Sequence, residues 1–270
     1  MFGSTRIFYM AVWRNWLTLK RYKLDFAFGL LSSALFGLGM LLFALAFDSA
    51  LLERTLGTTN WMSFMIFGIA YQIWQGIALY GSADMFRDEL RSGQIDYTFT
   101  CPFSRYVYII CNISAKAVLD TFIFIPMFAV GLWFTRSTLS IDGLVLGLAA
   151  TALSVGALSQ MGACFAALVL RHQQVSSIFS LFNFAFQMLT GMFIPLQILP
   201  AALRVFGIVA FPQSLGMDLL RHYLMGTRTL LVMPFEWLAL LAQFIGLGLL
   251  AQLAVRRLER SAREQGLHYL

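Results

Sequence analysis

Charge-free apolar stretches alternate with short polar ones along most of the chain, at the lengths of membrane-crossing helices. Such a helix needs about 20 apolar residues to cross roughly 30 Å of hydrocarbon. Residues 26–47 carry no charge between Asp25 and Asp48, and residues 61–83 carry none before Asp84. A third stretch, with span limits near 110–134, contains Lys116 and Asp120. Residues 143–170 are free of charge up to Arg171 and His172. A fifth span is placed at 175–195, with Pro195 and Pro200 at its end, and a sixth at 234–255, closed by Arg256 and Arg257. The pattern predicts an all-α polytopic membrane protein, a single transmembrane domain over residues 1–270 with six transmembrane helices. A seventh helix over 201–217 would hold Arg204 and Pro212 and carry the arginine-rich tail to the other side. Residues 196–233 therefore read as an extracytoplasmic re-entrant segment of short broken helices in the outer leaflet.

The first 25 residues have a different pattern. At about 100° per residue, Phe8, Val12, Trp16 and Leu19 fall within roughly 80°, while Arg6, Arg14, Lys20 and Arg21 lie opposite. Met10 and Leu17 fall among the basic residues. The stretch reads as a helix lying on the cytoplasmic leaflet, with a frayed basic anchor as the plainer alternative. It is not a signal peptide, because the apolar core begins only at residue 26 and is too long.

Composition removes other classes. Of the residues 59% are hydrophobic and only 12% charged, with a mean hydropathy of +0.75, against about 25% charged in soluble domains. A water-soluble enzyme is excluded. Fourteen of the 19 Lys and Arg fall on one side of the six-span layout; Arg54, Arg136, Arg204, Arg221 and Arg228 fall on the other. By the positive-inside rule both termini are cytoplasmic; the membrane expected for the chain is a bacterial-type plasma (inner) membrane. The net charge of +6 thus belongs to cytoplasmic loops, and no nucleic-acid partner is expected. Cys101, Cys111 and Cys164 have no metal-ligand spacing and read as free thiols.

Catalytic signatures are missing. The sequence has no G-x-x-x-x-G-K-[ST], G-x-S-x-G or H-E-x-x-H. His172, His222 and His268 lie at loop edges or in the tail, so no catalytic residue and no metal site is assigned. Lys116 and Asp120, four apart, share a helical face in the third span. Two readings stand side by side: an ion pair with Lys116 snorkelling to the headgroups, or an entrance pair that meets a polar substrate head. Residues 84–106 crowd charges of both signs before Gly93, which can stop a helix, and Pro102, which ends the next short one. Phe99 and Phe103 add apolar surface to this loop, either for a partner or for the headgroup layer.

Two motifs carry a resemblance. Glu89, Gly93, Asp96 and the Thr100, Pro102, Ser104, Arg105 ending resemble the E-x-x-x-G-T-(L/I)-E … T-P-x-S-R loop of type-2 ATP-binding-cassette (ABC) exporter permeases. Gln94, Asp96, Tyr97 and Phe99 depart from the commoner residues there. Gly191, Phe193, Pro195, Pro200, Pro212, Arg221 and Gly226 resemble the stretch after span five in the same family. With the six-span layout, the likeness covers nearly the whole chain.

The resemblance implies a permease subunit that pairs with a second permease chain, as a homo- or heterodimer in membrane lipid, over two copies of an ABC ATPase subunit. ATP and Mg would be bound by that ATPase, and this chain would bind no cofactor and catalyse no reaction. Glu89, Gly93, Asp96, Pro102 and Arg105 would form the ATPase-coupling loop. Phe193, Pro195, Pro200, Pro212 and Arg221 would form the exit-gate segment, where substitution of Pro195 or Arg221 is expected to impair transport more than assembly. The cargo would be an amphipathic or hydrophobic compound, drug-like or lipid. The alternatives are a lipid-linked polysaccharide or glycolipid moved by the same machinery or, in a different class, an intramembrane enzyme.

Overall fold

The computed structural model describes residues 4–44, 49–76, 103–135, 140–171 and 176–265, together with residues 81, 89, 93 and 101. Asp96 and Pro102 of the expected coupling loop lie outside the described residues. Ten α-helices and no strand are found among the described residues: α1 Ser4–Arg21, α2 Lys23–Ala44, α3 Ser49–Leu56, α4 Trp61–Gly76, α5 Arg105–Phe134, α6 Ile141–Arg171, α7 Ser176–Leu189, α8 Ala201–Ala210, α9 Pro212–Met225 and α10 Met233–Gln265.

Three of them are long and apolar enough to cross a membrane, over Arg105–Phe134, Ile141–Leu168 and Met233–Arg260. Their outward faces are apolar, as lipid contact requires: Phe122, Ile125, Val145, Leu238, Ile245 and Leu249 are all exposed. The other three expected spans are shorter where the chain is described. The apolar part of α2 is Ala27–Gly39 and α4 is described to Gly76. The fifth span, expected to reach 195, stops as a helix at Leu189, giving 14 residues and about 21 Å of rise. The cause is local: Gly191 has φ +75, a left-handed conformation that ends a helix, and Pro195 then opens a 3₁₀ turn over Leu196–Ile198. The sixth span errs the other way. Arginines close an apolar run but not a helix, so α10 continues past Arg256 to Gln265.

Contacts along the helices give their directions. Asn60 donates to the Phe134 carbonyl at 3.0 Å, Phe67 meets Phe128 at 5.6 Å between ring centroids, and Trp74 donates to the Ala117 carbonyl at 3.4 Å. Thus α4 and α5 run antiparallel. Gly143 sits under the Tyr223 carbonyl and Gly147 under Leu220, and Ser154 donates to the Pro212 carbonyl at 3.1 Å, so α9 runs antiparallel to α6. Gly156 meets Phe244 and Gly248 meets Gln160, so α10 runs parallel to α6. Glycines on α6 let its neighbours approach this closely. The aromatic core between them holds Phe64, Phe67, Tyr71, Phe186 and Phe211, all essentially inaccessible.

The amphipathic helix α1 packs on α5. Ala11 is its buried residue, Arg14 donates to Asn112 Oδ1 at 2.6 Å, and Cys111 contacts the Ser4 carbonyl at 3.7 Å. Tyr9, Met10, Trp13 and Leu17 are left exposed.

Candidate functional site

The helices α8 and α9 meet at 97°. Pro212 at the first turn of α9 lacks the N–H that would continue α8, and Ser214 Oγ donates to the Gly207 carbonyl at 2.7 Å across the corner. Gly216 lies so close to α6 that a Cβ there would come within 2.3 Å of Ser154 Cβ. The corner seats α9 against α4 and α6, and so points Arg221 into the protein.

Arg221 is 3% exposed. Its Nη1 donates to the Gly191 carbonyl at 2.7 Å, and Nη2 donates to those of Phe64 at 2.7 Å and Met192 at 2.9 Å. The guanidinium also lies 3.6 Å from the Phe64 ring centroid, a cation–π contact strengthened by desolvation. One side chain thereby ties α9, the turn after α7 and the first turn of α4. The turn exposes these carbonyls because it is not helical, which is where a rigid five-donor fork is useful.

A second contact joins the end of α9 to α10. Asp218 Oδ2 accepts from Leu230 N at 2.8 Å, Gly226 caps α9 at φ +66, and Arg228 N donates to the Leu56 carbonyl at 2.9 Å. Glu236, fully buried, faces the Asp218 carboxyl. Two carboxylates repel, so one proton held between them makes the contact favourable. In this segment outside the long apolar helices, burial pushes the Asp218 carboxyl above the usual carboxylate range; the Glu236 contact, Leu230 N–H, Arg221 and His222 oppose that shift. A raised pKa means proton uptake on folding, so stability falls as pH rises above the ordinary Asp range. Asp218→Asn removes that titrating group while keeping an oxygen for Leu230 N–H. Its thermal midpoint in detergent is expected to vary less with pH than wild type over that window.

The cavity between Phe64, Pro195, Leu196, Met217 and Arg221 amounts to about 10 Å³, room for at most one water. The packing around Arg221 is therefore close. Gly68 gives it its tightness: a Cβ there would lie 2.1 Å from the Met192 carbonyl oxygen and 2.9 Å from Arg221 Nη2. Gly68→Ala should lower stability by about 3 kcal/mol, read as a drop in thermal midpoint. Gly76→Ala, with nothing within 4 Å of the added Cβ, should leave it nearly unchanged.

Of the expected exit residues, Arg221, Phe193 and Pro212 are buried. Phe193 packs on Phe36 of α2 at 6.2 Å, Pro195 precedes the 3₁₀ turn and Pro200 precedes α8. Phe64, Gly68 and Glu236 complete the site. The sequence offers no signal for them, because their partners lie many positions away along the chain or are backbone groups.

The expected coupling residues lie at the other end of α5. Glu89 is 6% exposed, and its Oε1 accepts from the Tyr108 hydroxyl at 2.5 Å. Its carboxylate is therefore turned inward onto α5. Gly93 is exposed at φ +67. Arg105 Nη1 donates to the Cys101 carbonyl at 2.8 Å and that of Phe103 at 2.5 Å, closing the turn that leads into α5. Tyr108 and Phe134 are separated by about 39 Å of helix, so the two segments occupy opposite ends of the bundle. Lys116 and Asp120 lie between them on α5, Lys116 exposed and Asp120 half-buried, close enough for the lysine's charge to act on the carboxyl.

Fold and site together define, among the described residues, an all-helical chain with three helices long and apolar enough to cross a membrane, the closely packed Arg221 site at one end and the Glu89 and Arg105 contacts at the other. No protein-family model matches this sequence, and comparison with curated proteins finds no match either.

Proposed function

We propose that the chain is the permease subunit of an ATP-driven exporter of the type-2 ABC class, moving an amphipathic or hydrophobic compound out of the cytoplasm or inner leaflet. Carrying this reading is the structural distinctness of the two motif segments: 191–221 folds into the Arg221 site, while Glu89, Gly93 and Arg105 form the loop clasped to the far end of α5. Separate motif segments at the two ends of α5 fit rigid-body coupling across a membrane. In this reading the six spans stand, 196–233 is a re-entrant exit segment, and both termini are cytoplasmic in a bacterial-type inner membrane. The helix directions support that orientation, since α1 and the end of α10 lie at the loop end. Two permease chains would stand over two ATPase subunits, with Asp96 as a further carboxylate of the coupling loop.

The test is purification of the tagged full chain from its native membrane. A P-loop ATPase is expected to co-purify, with ATP hydrolysis stimulated by an amphipathic cargo. Reporter fusions at Leu270 should be active only inside. A complex without any ATPase, or a Leu270 fusion active only outside, would overturn the proposal.

A further inference from the structure

Between α1 and α5, where the chain turns from the amphipathic helix into α2, lies a cavity of about 400 Å³. Its walls are Trp16 and Leu19 of α1 and Leu119 and Phe122 of α5, and its mouth carries Lys20 and Lys23. Trp16 and Phe122 approach to 6.4 Å between ring centroids. The volume is that of a ligand site rather than a packing defect, which for small molecules starts near roughly 300 Å³. Apolar walls below two exposed ammonium groups match an amphiphile with an anionic head. Lys20 lies in the last turn of α1 and Lys23 opens α2, the level at which a helix on a leaflet surface meets phosphate groups.

We propose that this slot binds one anionic phospholipid, an acyl chain against Trp16, Leu19, Leu119 and Phe122 and the phosphate on Lys20 and Lys23. The site rests on the membrane placement of α1 and α5 and not on the exporter reading. The plainer role for the two lysines, general attraction to a negative leaflet, needs no cavity and no particular side chain. On α5, Asp120 follows Leu119 but has Lys116 as its own neighbouring cation, so the charge facing the slot stays positive.

The full chain is reconstituted in phosphatidylcholine vesicles containing either brominated-chain phosphatidylglycerol or brominated-chain phosphatidylcholine at equal mole fraction. Trp16 quenching is the difference between wild type and Trp16→Phe. With roughly fivefold preference for an anionic head per lysine, half-maximal quenching is expected at a fivefold or more lower fraction of the anionic lipid. Lys20→Gln/Lys23→Gln should abolish the preference, whereas Arg256→Gln/Arg257→Gln, which removes the same charge from the exposed face of α10, should keep it. Equal quenching by both lipids, no quenching of Trp16, a preference surviving the lysine variant, or an equal loss in the arginine control would each overturn the proposal. No ATPase enters the measurement, so its failure is distinct from failure of the exporter reading.

Discussion

Arg221→Met is expected to leave little folded protein in detergent extracts. Three charge-assisted hydrogen bonds are lost, each worth about 1.5–3 kcal/mol, and the carbonyls of Phe64, Gly191 and Met192 are stranded in a site with no room for more than one water. A total loss on the order of 5 kcal/mol rivals the entire stability of an ordinary domain. Arg221→Lys should be intermediate, because one ammonium cannot reach three carbonyls in a fork. Size-exclusion yield and thermal midpoint read both. From sequence, Arg221 was expected to serve exit more than assembly; its burial among backbone carbonyls makes assembly the larger effect. Arg221→Met protein with wild-type yield and midpoint but no export would restore the exit role.

The long helices α5, α6 and α10 are legible because a membrane-crossing helix must be apolar over its whole length, and only charge interrupts that pattern. Their ends are less legible. The fifth span was extended to Pro195 because Thr190, Gly191 and Met192 are apolar or small, yet a positive φ at Gly191 stops the helix first. The α8–α9 corner was legible for the opposite reason, since Pro212 forbids a continuous helix.

The site was legible only as a set of unusual residues. Prolines, glycines and two arginines, Arg204 and Arg221, mark the 191–226 segment, but the partners of Arg221 are main-chain oxygens, which leave no trace in side-chain pattern. Glu89 shows the same limit. A carboxylate in a charged loop looks solvent-facing, and nothing in the spacing announces that Tyr108 reaches back to it. On α1, Phe8, Val12 and Leu19 of the expected apolar stripe are half-buried, whereas Trp16 is exposed and Ala11 is the buried residue.

Under the proposed exporter reading, the inward turn of Glu89 bears on how this loop would couple to an ATPase. If Glu89 holds the loop on α5, then Glu89→Ala and Tyr108→Phe both remove the Tyr108–Glu89 hydrogen bond. Each should weaken cargo-stimulated ATP hydrolysis to a similar degree, and the double variant should add little to either, the signature of two residues acting as one unit. If Glu89 instead reached an ATPase directly, Tyr108→Phe would be silent. Gly93 supplies the second half of the test. An added Cβ meets nothing within 4 Å, but the backbone stands at φ +67, where a side-chain-bearing residue costs on the order of 1–2 kcal/mol. The penalty is conformational and should not scale with size among side chains unbranched at Cβ. Gly93→Ala and Gly93→Leu are both expected to uncouple hydrolysis from transport, by about tenfold for a cost near 1.4 kcal/mol. Gly93→Asn, which tolerates the left-handed region, should retain most coupling. Reconstituted transport and ATP turnover, compared at equal permease content, separate these outcomes. Graded loss from alanine to leucine with asparagine no better than alanine would mean that bulk matters instead, as on a surface pressed against a partner.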